Sequence, residues 1–261
     1  NTTSFTPEDA QLREFIAFDP EQNFPSPSFV RQIENQNLHA LNIPELTIIT
    51  PAALQTEAER VAQLHREEGL TVAVIEQEKI FNEFSSGTPD ASAYRRLMKM
   101  FYDRAEGNEN VRPRYLLLFG DGSYNNRKSM EKLHSPECNM LLTYQSKTSI
   151  DERESFVIED YFGFLEDNSG EEIKVDKVCL GIGRFPISSI KNARLVVDKL
   201  YRYVHDKDFS SWKNNICIAA DDGDGAIHAE QADKGSDTLL LKNTSQPRLG
   251  FRVNKIYIDS Y

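Results

Sequence analysis

The sequence predicts an α/β fold made of two parallel-sheet subdomains, the second incomplete. Three observations predict it. The apolar run Tyr115-Leu116-Leu117-Leu118-Phe119 passes straight into Gly120-Asp121-Gly122-Ser123-Tyr124. A second run, Ile216-Cys217-Ile218-Ala219-Ala220, passes into Asp221-Asp222-Gly223-Asp224-Gly225. Continuous apolar runs bounded by glycine are the mark of strands buried on both faces of a parallel sheet. The third observation is an alternation of strand and helix patterns, β-α-β-α-β, that occurs twice. That order gives parallel strands joined by right-handed crossovers.

Each element follows from its residues. Residues 1–40 are rich in Pro, Asn and Gln and read as an irregular lead-in. Residues 41–175 form the first subdomain and 176–261 the start of the second. Leu46-Thr47-Ile48-Ile49 is the first strand. Thr50-Pro51 supplies a helix cap and a first-turn proline. Leu54, Ala58 and Val61 follow at helical spacing, and Gly69 provides the stop. Leu70 to Ile75 is the second strand. Thr88-Pro89 caps a second helix with Tyr94, Leu97, Met98 and Phe101 on one face. The Leu116 strand comes next.

Residues 125–175 are less regular, with a short strand over Met140–Tyr144 and a packed aromatic loop over Glu159–Asn168. The alternation resumes with a strand at Val178–Ile182. Ser188 or Ser189 caps a helix bearing Ile190, Ala193, Val197, Leu200 and Val204. The Ile216 strand, a helix from Ala226 to Leu241 weakened by Gly235, and a last strand at Lys255–Ile258 complete the order. Tyr261 falls just past that strand, and a complete doubly wound domain is expected to continue into another helix. A sheet edge left open in this way is expected to promote self-association.

The bulk numbers narrow the function. The chain has 261 residues, 39% hydrophobic and 27% charged, a globular composition. Its net charge of -11 argues against a broad nucleic-acid surface, which needs clustered Lys and Arg. It leaves room for a cationic substrate or a calcium ion. No apolar run has the length of a membrane-spanning helix. The start Asn1-Thr2-Thr3-Ser4 has neither the basic nor the apolar region of a signal peptide, so none is expected in these residues.

Both candidate strands deliver carboxylates to the sheet's carboxyl edge, where open α/β sheets place their sites. Asp221, Asp222 and Asp224 are the densest acidic cluster. They suit a hard cation, an acid that orients a histidine, or a solvated turn. Gly120-Asp121-Gly122-Ser123 lacks the lysine of a phosphate loop and the spacing of a nucleophile elbow. It reads as a tight turn in which Asp121 satisfies backbone donors.

Of the histidines, His65 and His205 fall near helix C-termini, and His39 and His134 in loops. His228, just after the acidic cluster, is the candidate to test. Cys179 and Cys217 sit in apolar strand runs and are expected to be buried, leaving Cys138 as the exposed thiol. No pairing with histidine has zinc spacing. Arg184 follows the Val178 strand and is expected to make a structural ion pair with Asp221 or Asp222.

The stretches Tyr115–Tyr124, Asp160–Gly163, Gly181–Arg184 and Ala219–Asp222 resemble the gingipain-type cysteine peptidases. Phe81–Asp90 and Tyr94–Arg96 point, within that family, to the signal peptidases (often called sortases) of the bacterial type IX secretion system. The resemblance runs from about residue 28 to the end. It implies two α/β subdomains, the second caspase-like. It implies a His–Cys dyad in which a thiolate attacks the scissile carbonyl and imidazole handles the proton. The family's histidine lies in a Gly-His-Gly motif after the next strand, and its cysteine further on.

No histidine here is flanked by glycines, and no cysteine falls at the nucleophile position. The expectation is therefore the front part of a longer protein, lacking the dyad and inactive alone. By resemblance, Asp222 stands where secreted gingipains carry a glutamate near the catalytic histidine. Asp224 and His228 stand near their substrate-specificity region.

The resemblance further implies cleavage of C-terminal sorting domains from secreted cargo, with transfer of the cargo to a lipopolysaccharide anchor. Other secretion components would be partners, the location would be the extracellular side of the outer membrane, and no cofactor would be required. Two rivals remain. One is a divalent-cation module using Asp221, Asp222 and Asp224. The other is a non-catalytic secretion scaffold.

Overall fold

A computed structural model describes residues 18, 19, 21, 24, 26–29, 31–126, 140–148, 150–208, 210–221, 223–246 and 250–257. Strand β1 (Leu46–Thr50) leads into helix α1 (Gln55–Glu67), and β2 (Val72–Glu76) into α2 (Gln77–Phe84). Helix α3 (Ser92–Arg104) precedes β3 (Tyr115–Phe119). The short strands β4 (Asp121–Gly122) and β5 (Met140–Leu141) follow, then β6 (Gly181–Phe185) and α4 (Ile190–His205). Strand β7 (Asn215–Ala220), α5 (Gly223–Ser245) and β8 (Arg252–Tyr257) come last.

Four strands form one parallel sheet in the order β2-β1-β3-β6. Ile48 is level with Val74 on one side and Leu117 on the other. Successive strand residues point to opposite faces, and both faces are covered. Ile48 packs with Leu54, Val61, Ala193 and Val197 under α1 and α4. Ile49, Leu116 and Leu118 pack with Phe81, Tyr94, Leu97 and Phe101 under α2 and α3. Each fully buried valine, leucine, isoleucine or phenylalanine among them contributes about 1.5–3 kcal/mol relative to exposure. The strand order turns back at β1, which places the switch crevice at the carboxyl ends of β1 and β3.

Local signals explain most elements. Helix α1 stops at Gly69, whose φ of 95° suits glycine. The Gly69 N–H donates to the Arg66 carbonyl and the Leu70 N–H to the His65 carbonyl, both at 3.0 Å, the paired pattern of a Schellman stop. Ser189 caps α4 by accepting the Asn192 N–H. Gly163 lies where a Cβ would stand 2.8 Å from Val178 Cγ1 and 2.9 Å from Ile182 Cδ1, so the turn at Asp160–Gly163 presses on β6 only because it carries no side chain there.

Several expectations need correction. Thr50 does not cap α1; its hydroxyl is shared between the carbonyls of Pro51 and Phe119, both 3.2 Å away, at the switch crevice. Thr88 does not cap α3; Asp90 accepts the Ser92 N–H instead, at 2.8 Å. Helix α2 was not foreseen, because eight residues are too few turns for the apolar period to stand out. The strand expected at Met140–Tyr144 shrinks to two residues paired with β4.

The strand placed at Val178–Ile182, and assigned with everything after residue 176 to the second subdomain, runs over Gly181–Phe185 and hydrogen-bonds to β3 in the first sheet. Pairing is a non-local choice that the local pattern of β6 does not carry. Helix α4 likewise packs against α1.

Strands β7 and β8 form a separate two-stranded parallel sheet with α5 against them. Among the described residues from 206 onward, only Ser236 is buried. Three elements are too few to enclose a core, and among the described residues of that unit no apolar side chain is buried. This is why Cys217 is exposed rather than buried: it lies on the open set of alternating positions in β7. Cys179 is half-buried. Cys138 and His134 lie outside the described residues. No described helix is long and apolar enough to cross a membrane.

Candidate functional site

The carboxyl edge of the main sheet is assembled around Arg184, the fourth residue of β6. Its side chain is 11% exposed. Nε and Nη2 donate to the two carboxylate oxygens of Glu159 at 2.7 and 3.1 Å. Nη1 donates to the carbonyls of Gly120 (3.2 Å) and Asp121 (3.3 Å), and Nη2 also to that of Leu142 (3.1 Å). One planar fork therefore ties the ends of β3 and β5 to the segment before the Asp160 turn. Only guanidinium has the donors for this. An ion pair was expected for Arg184, but with Asp221 or Asp222. Glu159 takes that place because Arg184 belongs to the first sheet.

The turn after β3 is set by close approach. A Cβ on Gly122 would stand 2.7 Å from Thr143 Cγ2 and 3.2 Å from Arg184 Nη1. The Asp121 carboxylate accepts the Gly122 N–H at 2.8 Å, the backbone role expected of it. Asn126 spans the gap to the β5 side, donating to the Thr143 carbonyl (2.6 Å) and accepting the Thr143 N–H (3.1 Å). Beyond it, Tyr144 stacks on Tyr161 with centroids 3.4 Å apart and planes at 6°. Burial and the Tyr161 phenol push the Tyr144 hydroxyl up from its ordinary value, so it stays protonated. Glu159, Asn126 and Thr143 were missed by sequence reasoning. The one signal that pointed to them was Arg184 itself, a strand arginine in need of a carboxylate.

The second candidate group stands at the end of β7. His228 Nδ1 lies 2.6 Å from Asp221 Oδ1, and both side chains are about half exposed. The strand end and the first turns of α5 bring them together across seven residues. Gly225 (φ 73°) and Ala226 (φ 66°) depart from helical dihedrals between them and bend the chain. Asp222 and the side chain of Asp224 lie outside what is described. Among the described residues, no group of three His, Cys, Asp or Glu side chains is placed to hold a metal ion.

Neither described cysteine is at this edge. Cys179 precedes β6, at the opposite end of the sheet, and its thiol donates to the Lys177 carbonyl at 3.7 Å. Cys217 is the third residue of β7. At the end of β7 the Asp221 carboxylate orients the His228 imidazole, and among the described residues no thiol stands beside a histidine.

The family model described as peptidase family C25 matches residues 39–261. No curated protein matches the sequence. Among solved structures, dimeric latent PorU from Porphyromonas gingivalis is 43% identical, with a TM-score of 0.61. That match covers 69% of this chain and 17% of the PorU chain. The Arg-specific cysteine proteinase gingipain R (RgpB) is 15% identical with a TM-score of 0.51, over 85% of this chain and 43% of that one. The second likeness is one of fold alone.

Proposed function

The chain belongs to peptidase family C25, and from that premise we propose that it is the scaffold portion of a PorU-like cysteine endopeptidase of the type IX secretion system. Its substrates would be the C-terminal sorting domains of secreted cargo, cut on the extracellular side of the outer membrane in company with other secretion components. The identity to PorU, 43% across 69% of this chain, supports that branch of the family.

Within this reading, Asp222 is the acid that orients a catalytic histidine. Asp224 and His228 would belong to the substrate-binding region, with Asp221 fixing the His228 ring through the 2.6 Å contact. The reading requires no cofactor. The chain alone is expected not to cleave, a reading supported by the two described cysteines, Cys179 and Cys217, neither of which stands beside a histidine at the carboxyl edge.

Two assays test it. The 261-residue chain is incubated with a cargo C-terminal-domain peptide, and no cleavage is expected. Cleavage that disappears in Cys138→Ala, Cys179→Ala or Cys217→Ala overturns the claim. In the second assay the chain replaces the matching segment of P. gingivalis PorU. Processing of cargo is expected to persist and to fall in the Asp222→Ala and His228→Ala chimeras. A correctly folded chimera that processes nothing sinks the assignment to this branch.

A further inference from the structure

One sheet edge and one helix flank face a common groove. Strand β6 bonds to β3 on one side, and among the described residues no strand pairs with its other side. A Cβ on Gly183, at the middle of β6, would meet nothing within 4 Å. Beside it opens a groove of about 1400 Å³ lined by Phe185 of β6, by Val196, Leu200 and Tyr203 of α4, and by Trp212. Val196, Leu200 and Tyr203 lie at i, i+4 and i+7, one continuous flank of the helix.

Cations outnumber acids in the groove's lining although the chain's net charge is -11. Lys199, Arg202 and Lys207 line it, all exposed, with no acidic partner among the described residues. Lys213 pairs with Asp206 at 3.5 Å and lies over the Tyr203 and Trp212 rings at 5.5 Å, so Asp206 does not neutralise the other three. Glu67 is the one further acid in the lining, and Asp208 stands beside the lining, accepting the Trp212 indole N–H at 2.8 Å. Uncompensated cations beside exposed aromatic surface fit a partner that is anionic and carries apolar side chains.

We propose that the free edge of β6 and this groove are a docking surface for an extended acidic segment of another protein, which adds to the sheet as a fifth strand. Main-chain hydrogen bonds to β6 would hold it, and the side chains of one face would enter the groove. There aliphatic and aromatic groups meet Phe185, Val196 and Trp212, and carboxylates meet Lys199, Arg202 and Lys207. The surface is independent of the peptidase reading, since it uses none of the residues assigned to catalysis or specificity.

The test uses the full 261-residue chain and a short fluorescein-labelled peptide alternating glutamate with valine and phenylalanine. Its counterpart carries lysine for glutamate. Fluorescence anisotropy is expected to show saturable binding of the acidic peptide alone. That binding weakens with added salt and falls by about tenfold or more in the Lys199→Glu, Lys207→Glu double variant. Hydrogen exchange at the amides of residues 181–185 slows when the peptide binds. The proposal fails if the acidic peptide does not bind, if the lysine counterpart binds equally, or if the double variant binds undiminished. It also fails if exchange at β6 does not change. Light scattering supplies a last control. A dimer whose β6 amides are already protected without peptide assigns the groove to a second copy of the chain and overturns the proposal.

Discussion

The Arg184 guanidinium and the Glu159 carboxylate meet as fork to fork, at 2.7 and 3.1 Å, while the same arginine holds three backbone carbonyls. Replacing Arg184 with methionine leaves Glu159 and those carbonyls without donors in a half-dry setting. The expected loss is about 3 kcal/mol of folding stability, read from urea denaturation. Arg184→Lys recovers little of it, because an ammonium offers no planar fork. Equal stability of the lysine variant and the parent would refute the role given to the fork.

Gly122→Ala places a methyl group 2.7 Å from Thr143 Cγ2. The overpacking is expected to cost about 1–3 kcal/mol. Adding Thr143→Ser removes the opposing methyl and restores part of the loss. A double variant no more stable than Gly122→Ala alone would place the strain elsewhere, at Arg184.

The buried Tyr94 hydroxyl donates to Gln77 Oε1 (2.6 Å) and accepts the Leu142 N–H (3.3 Å). Gln77 in turn donates to the Met140 carbonyl at 3.0 Å. This bridge sets β5 against α2 and α3. Tyr94→Phe strands a buried donor and acceptor and is expected to lower stability by about 1–3 kcal/mol. It also speeds amide exchange at 140–142. A stability loss without that faster exchange would show that the bridge does not hold β5.

Glu83 on α2 fastens the segment before the first strand. It accepts the Leu38 N–H (2.7 Å), the Gln36 amide (2.8 Å) and the His39 N–H (3.3 Å), and His39 Nδ1 lies 2.7 Å away. Burial pushes its carboxyl up, but the donors of Leu38, Gln36 and His39 outweigh that and hold it below the ordinary value. A depressed native value means stability that is full above the unfolded value and is lost as pH falls through the native one. The stability gap between the parent and Glu83→Gln, measured in urea, is therefore expected to narrow on acidification from about pH 6 to pH 3. A gap that stays constant over that range rules the fastening out.

Much of the scaffold was legible in the chain. The valine-, leucine- and isoleucine-rich runs of β1, β2 and β3 read as buried strands because a sheet covered on both faces favours near-continuous apolar runs. The faces of α1, α3 and α4 stood out because each is at least 13 residues long. The motifs around Tyr115, Asp160, Gly181 and Ala219 carried the family. In the candidate site, Asp121 was read in its backbone role, and Arg184 was read as half of an ion pair.

Local periodicity and turn chemistry were what the sequence by itself determined, since both are written in residues a few positions apart. The tertiary structure decided which strand lies beside which, and three outcomes followed from that. β6 joined β3, Arg184 received Glu159 instead of Asp221, and Cys217 came to rest on an open face. Each depends on groups 25 or more residues apart or on a covering layer, and in a parallel sheet neighbours are chosen by crossovers that no short stretch of sequence encodes.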